Sequence, residues 1–407
     1  MLWRLALRNI WRNKRRTALT VSAMVVSSSL LILSLGIFSG MLSDMLASAT
    51  EQYYGHLVVS VTGYQDDRDF FDNFSPDPAL LERIASTSGV RGISPRLRAF
   101  GLVSHGQRSD PAEILGVEPA SERQVTRLQE KIVAGSYLPD DPEKGALLGR
   151  GLAERLGVNP GDELVFVTQA ADGSIGNDLF TLRGIFATGD SRHDNGLVLV
   201  GLSALQRLTV LPDRVHELAA SLEDPMTAGA TAAQLNGQLP EGLEATDWGQ
   251  LLPEMQEAIA ASDVSRLIIV TILYFATGLG ILNTFFMSVM ERTREFGILM
   301  ALGMRPWRVR AMVLLETLAM GGVSLALGIS LGLALSLYMA TVGIDLSESI
   351  TPITYAGGTI APRLRVVMEP ANFIVPSLLL LVVCLLAGFL PANRAAGLDP
   401  VAAIRED

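Results

Sequence analysis

The sequence predicts an α-helical membrane protein: four transmembrane helices plus a large α+β extracytoplasmic domain between the first and second. Three observations predict it. Four stretches, Thr17–Ser43, Leu267–Met290, Thr317–Ile344 and Pro370–Asn393, carry no charged side chain, and each exceeds the roughly 20 residues a helix needs to cross the hydrocarbon core. Arginines crowd into two segments, 1–16 and 291–310. Between the first two apolar runs, the pattern changes to short alternating or β-branched stretches punctuated by Gly, Pro and Asp, the pattern of strands and turns.

The elements follow in chain order. Residues 1–16 place Arg4, Arg8 and Arg12 at four-residue spacing, opposite Trp3, Leu7, Ile10 and Trp11, which predicts an amphipathic helix on the cytoplasmic face of the membrane. The apolar run that follows outlasts the 7–15 residues or so of a signal-peptide core, so 17–43 is the first span. The 1–16 segment has Arg4, Arg8, Arg12, Lys14, Arg15 and Arg16 and no acid, and 291–310 has Arg292, Arg294, Arg305, Arg308 and Arg310. Positive charge marks the cytoplasmic side. The expected order is therefore an external domain over 44–263, a second span over 264–290, a cytoplasmic segment over 291–310, a third span over 311–344, an external loop over 345–369, a fourth span over 370–393, and a cytoplasmic tail over 394–407. Glu316 stands near the start of the third span, so it should face protein or reach the surface.

Within 44–263, strands are expected over 56–64, 113–117, 163–169 and 180–188. Helices are expected over 77–87 and 146–157, the second ending at Gly157 before the turn Asn159-Pro160-Gly161-Asp162. Residues 239–263 read as a helical stalk into the second span. This domain holds 16 Lys and Arg against 33 Asp and Glu, and the rest of the chain 16 against 9. An acidic domain is the reverse of the basic footprint that binds nucleic acid. The single cysteine, Cys384, lies in the last span, so the external domain must be stabilised by its own core rather than by disulfides.

Several chemistries lack their residues. A phosphate-binding P-loop needs Gly-Lys-[Ser/Thr], yet Lys14, Lys131 and Lys144 follow Asn13, Glu130 and Glu143. His216-Glu217 opens like a zinc-protease helix, but Ala220 stands where a second histidine is required, and His56, His105 and His193 are scattered. Gly328-Ile329-Ser330-Leu331-Gly332 matches a nucleophile elbow only inside an apolar span. Gly328 and Gly332, like Gly36 and Gly40, read better as small-residue seams where membrane helices pack closely.

The segment "ERTREFGILMALGMRPWRVR" (291–310) is patterned beyond a simple loop. Glu291 and Arg294 stand at i,i+3, Glu291 and Glu295 share a face, and Phe296, Ile298, Leu299 and Ala301 supply an apolar side before Gly303 ends the helix. From the residues alone it is either a lever gripped by a partner or a passive interfacial helix. The segment resembles the "ER..E.G.L.ALG" stretch of the FtsX-like and MacB-like permease superfamily of ABC transporters. The ending "LPANRAAGLDPVAAIRED" resembles that superfamily's tail, and "ALLGRGLAERLGVNPGDELVFV" resembles a stretch of its external domain. The resemblance covers the whole chain in order.

It implies that Glu291, Arg292, Glu295, Gly297, Leu299, Ala301 and Gly303 form a coupling helix docking on a separate ATPase. That ATPase would bind ATP and Mg, leaving no cofactor and no catalysis in this chain. It further implies a bacterial inner membrane, and a second permease chain as identical copy or paralogue. "FSGMLSDML…GHLVV" resembles lipoprotein-releasing permeases, with Ser39 in place of their Asn and a longer loop before the last span. The cargo implied is a lipoprotein passed to a periplasmic acceptor. Alternatives are drug or peptide efflux through an adaptor, or mechanical signalling to a cell-wall hydrolase. Leu35, Phe38, Met41, Leu42, Ile268, Ile272 and Phe275 are candidate lining for a cargo cavity, or ordinary lipid-facing and packing residues.

Overall fold

The computed structural model describes residues 14–141, 144–345, 353–355, 358–360 and 363–405. The helix expected over 1–16 lies outside them except for its last residues, which begin the first long helix. The chain divides into a helical unit, Met1–Ser43 with Ala260–Ile350 and Pro362–Asp407, and an α+β unit, Asp44–Ile259 with Thr351–Ala361.

Four helices long and apolar enough to cross a membrane appear where the uncharged runs predict them. They are Lys14–Ala49, Pro253–Glu291, Pro306–Thr341 and Ala371–Ala396, here the first to fourth long helices. Pro306 opens the third at a position where its missing N–H is no loss. Met24, Leu31, Leu35, Tyr274, Ile281 and Cys384 belong to the apolar core of the helical unit.

Glycines set the closest approaches. A Cβ on Gly388 would come 2.7 Å from Thr317 Oγ1, and one on Gly321 would come 3.0 Å from Cys384 Sγ, so the third and fourth helices nearly touch backbone to side chain. Gly328 and Gly332 face Ser28 and Ile32 of the first helix, a helix–helix seam as expected. Gly36 and Gly40 serve a different contact: the extended segment Arg365–Val367 crosses them, a Cβ on Gly36 would meet Val366 Cγ1 at 2.7 Å, and Val367 N donates to Gly36 O at 3.1 Å. An extended chain has no helical periodicity, which is why spacing alone pointed to a helix instead.

The α+β unit is built on ten strands, β1 (Leu57–Val61), β2 (Val90–His105), β3 (Arg108–Val117), β4 (Ile132–Gly135), β5 (Gly145–Gly149), β6 (Glu163–Gln169), β7 (Ile175–Phe186), β8 (Leu197–Gly201), β9 (Glu217–Leu222) and β10 (Leu243–Asp247). Their order is β10-β1-β9-β2-β3-β8-β5-β7-β4, with β6 joining β2 to β7. That last pairing closes β2, β3, β8, β5, β7 and β6 into a ring. β2 belongs to both parts: its first half pairs with β9 of the open sheet and residues 101–104 pair with β6 of the ring. Phe166 stacks on Phe180 at 4.5 Å, both fully buried. β5 and β8, buried along their whole length, are continuous apolar runs, as strands covered on both faces must be.

Three expectations change. The helix expected over 146–157 is β5 followed by the short helix Arg150–Leu156, because "ALLG" pairs with β7 and β8. The stalk expected over 239–263 contributes β10 to the sheet and becomes helical at Trp248 and then Pro253. β2 was not expected, since Gly92, Pro95, Arg96, Arg98 and Gly101 interrupt its apolar pattern.

Candidate functional site

The second long helix ends at Glu291, where Arg292 leaves the helical conformation at φ −112°, ψ 14°. A separate loop helix then runs Thr293–Ala301. Gly303 stops it at φ +94°, a left-handed conformation that side chains resist, with Met304 N donating to Leu299 O at 3.0 Å. Pro306 begins the third long helix within three residues, so the loop helix is tethered tightly at both ends.

Arg292 clamps this helix. Its Nε donates to Glu295 Oε2 at 3.1 Å, its Nη1 to Glu316 Oε2 at 3.0 Å and Oε1 at 3.3 Å, and its guanidinium lies 5.0 Å from the Phe296 ring centre. Glu316 is buried and faces protein. At i,i+3 spacing Arg292 pairs with Glu295 at 3.1 Å, one residue along from the expected pairing of Glu291 and Arg294.

The apolar side is also redistributed. Phe296 and Gly297 are buried, and Leu299 and Met300 pack with Val289, Val309, Met312, Val313, Ala392 and Ala395, which join the bases of the second, third and fourth helices. Facing outward are Glu291, Ile298 (44% exposed), Ala301, Leu302 (80% exposed) and Gly303. Of the apolar side expected to be gripped by a partner, Phe296 and Leu299 turn into the chain's own bundle, while Ile298 and Ala301 face outward.

Gly297 explains why. A Cβ there would stand 2.8 Å from the Cβ of Ala403 in the tail helix Pro400–Arg405. Asp399 starts that helix, its Oδ1 accepting from Val401 N at 3.0 Å and its carbonyl from Ala403 N at 2.9 Å. The two motifs at 291–303 and 398–405 are therefore one packed structure. Sequence reading treated them separately; the signal was a glycine inside an amphipathic helix and a small residue four beyond Asp399.

An apolar groove of about 430 Å³ runs between the second and fourth helices, lined by Leu267, Tyr274, Phe275, Leu279, Val383 and Leu386 among others. Of the seven candidate cavity residues, Phe275 lines it. Leu35 packs in the helical core, Phe38, Met41 and Leu42 are half-buried on the first helix, and Ile268 and Ile272 are exposed.

A second concentration of charge, which sequence reading missed, lies inside the α+β unit. Arg96, fully buried, is held by Glu122 of the helix Pro119–Val125 through Nε at 3.1 Å and Nη2 at 2.7 Å. Arg98 Nη2 bonds Glu217 Oε1 at 2.6 Å, and its Nη1 bonds Glu113 and the Tyr53 hydroxyl. Burial by itself raises a carboxyl pKa, but the Arg98 and Arg96 guanidiniums outweigh it and hold Glu217 at about 2. The same opposition, led by Arg98, leaves Glu113 lowered. His216, beside Glu217, accepts from Arg98 N at 2.9 Å through Nδ1; its role is structural. Two arginines at i and i+2 on a strand share one face, and that spacing was the available signal.

The frame is thus four helices long and apolar enough to cross a membrane, a charged helix folded between the second and third, and an α+β unit after the first. The model of the MacB-like periplasmic core domain matches residues 17–238, and that of the FtsX-like permease C-terminal matches 267–400. The chain belongs to this family of ABC transporter permeases. It is 26% identical over 324 residues to the lipoprotein-releasing system transmembrane protein LolC of Xylella fastidiosa, covering 78% of each chain. It is 24% identical over 419 residues to the macrolide export ATP-binding/permease protein MacB of Marinobacter nauticus, covering 99% of this chain and 60% of that one. It is also 23% identical over 331 residues to the lipoprotein-releasing system transmembrane protein LolE of Haemophilus influenzae, covering 79% of each.

Proposed function

We propose that this chain is the membrane subunit of a bacterial inner-membrane ABC machine that extracts acylated lipoproteins, its ATP and Mg bound by a separate ATPase chain. In this reading the termini and the loop helix are cytoplasmic, the α+β unit is periplasmic, and two permease chains act together. One observation carries it. The loop helix is clamped to the third helix by Arg292 and Glu316 and packed across the bases of three long helices, so a partner that displaces it displaces them together.

The energetics match such a stroke. Bringing an acyl chain into water costs roughly 0.8 kcal/mol per methylene, so a multi-chain anchor leaves the bilayer only when driven. The match over 78% of both chains to a lipoprotein-releasing protein supports that cargo.

The test is affinity purification of the full chain from its native membrane with mass spectrometry of what is retained. A co-purifying ATPase and a triacylated protein are expected. A periplasmic adaptor without lipoprotein would replace extraction by efflux, the activity in the name of the MacB relative, and a peptidoglycan hydrolase would replace it by signalling.

A further inference from the structure

The first long helix ends in a wider π-helical turn, Thr50–Tyr54, closed by Gly55 at φ +81°. This turn is gripped through two successive residues by one strand. The Tyr53 hydroxyl donates to Glu113 Oε1 at 2.5 Å and accepts from Arg98 Nη1. The Tyr54 carbonyl accepts from Arg96 Nη1 at 3.4 Å. Both arginines stand on β2, and the acids that hold them stand on β3, on β9 and on the helix Pro119–Val125.

The kind of contact matters. Apolar surfaces attract without direction and slide past one another at little cost. Charge-assisted hydrogen bonds are directional, and pulling one partner away inside a protein leaves buried polar groups short of a hydrogen bond. A shift of the turn relative to β2 would break bonds to Tyr53 and Tyr54 together. β2 in turn is the strand shared by the open sheet and the closed ring, through β9 on one half and β6 on the other.

We propose that Tyr53 is a positioning residue: with Arg98 and Glu113 it joins the end of the first long helix rigidly to β2, so that movement of that helix reaches the sheet and the ring together. The mechanical part of this rests on the reading of the chain as a transmitter of an ATP-driven stroke; the rigid joint itself does not.

Two measurements separate the two parts. Tyr53→Phe removes one hydroxyl and keeps the ring, which stacks on His193 at 4.1 Å. In the purified full chain, without ATPase, hydrogen exchange of the Thr50–Tyr54 amides should accelerate at least tenfold in Tyr53→Phe while β9 amides stay unchanged. Unaltered exchange in the turn would overturn the joint. In the complex with its ATPase in proteoliposomes, a spin label at Asp172→Cys, on the exposed turn between β6 and β7, should change mobility on ATP addition. In Tyr53→Phe that response should fall at least threefold while ATP hydrolysis stays within twofold of the parent, and Glu113→Gln, which keeps an acceptor for Tyr53, should fall between the two. A full response in Tyr53→Phe would refute the positioning role. No response in the parent chain would refute the functional reading, and the joint would then stand or fall by the exchange result.

Discussion

The Cβ that Gly297 lacks would stand 2.8 Å from the Cβ of Ala403, so the loop helix and the tail helix meet with no room for another atom. This one contact joins two segments more than a hundred positions apart and makes them a single body at the base of the helical unit.

Gly297→Leu should force the tail helix away, since overpacking of a tight contact costs about 1–3 kcal/mol. The variant should insert normally, its tail should become accessible to protease, and transport should drop at least tenfold. A protected tail in this variant would show that the contact is dispensable.

Arg292→Ala should destabilise the helical unit by about 2 kcal/mol, because buried Glu316 then loses the charge-assisted hydrogen bonds that Arg292 donates to it. Replacing both, Arg292→Met with Glu316→Leu, should recover most of that loss. Thermal unfolding in detergent measures it, and strictly additive losses in the double variant would mean the pair is not coupled.

Glu291 and Gly303 face outward at the two ends of the loop helix. On the proposed reading, in which an ATPase docks on this helix, Glu291→Arg should weaken that docking, and Gly303→Val should distort the turn, since a β-branched residue at φ +94° is strained by about 1–3 kcal/mol. Both should leave insertion intact and separate ATP hydrolysis from transport. Transport at parental rates in both variants would remove the lever from the mechanism.

His56 predicts an acid-sensitive α+β unit. Burial is the main cause that lowers its pKa to about 4, and its Nδ1 accepts from Leu222 N at 2.7 Å. The folded form therefore binds its proton later than the unfolded form, and stability falls as pH drops from about 6.5 to about 4, by roughly 3 kcal/mol over the whole window. Glu217, held at about 2, acts lower: its contribution is complete above the unfolded carboxylate value and is lost as pH falls from about 4.5 toward 2. His56→Gln should flatten the first phase of a melting-temperature profile between pH 7 and pH 4; an unchanged slope would assign that phase elsewhere.

The groove between the second and fourth helices differs from the cavity expected at the outer ends of the first two spans. Sequence can mark apolar residues, but every face of these runs is apolar, so nothing in the pattern says which face meets protein and which meets lipid. Phe275 and Ile272 look alike in sequence and are separated only by where the fourth helix packs. The Arg96 and Arg98 cluster was hidden for the opposite reason: charge in a strand pattern reads as an exposed face unless its partners, up to 119 positions away, are known.

The sequence by itself determined the four long helices, the α+β character of the insert, and the loop helix with its stop at Gly303. Each follows from local rules: the length of an uncharged run, the period of its apolar residues, or a glycine's freedom of φ. Only the tertiary structure decided that β2 joins a sheet to a ring, that Gly36 and Gly40 receive an extended segment, that Arg292 holds Glu316, and that the tail packs on Gly297. Those depend on pairs distant in the chain, whose energies exist only once burial has excluded water and brought the partners within hydrogen-bonding or van der Waals reach.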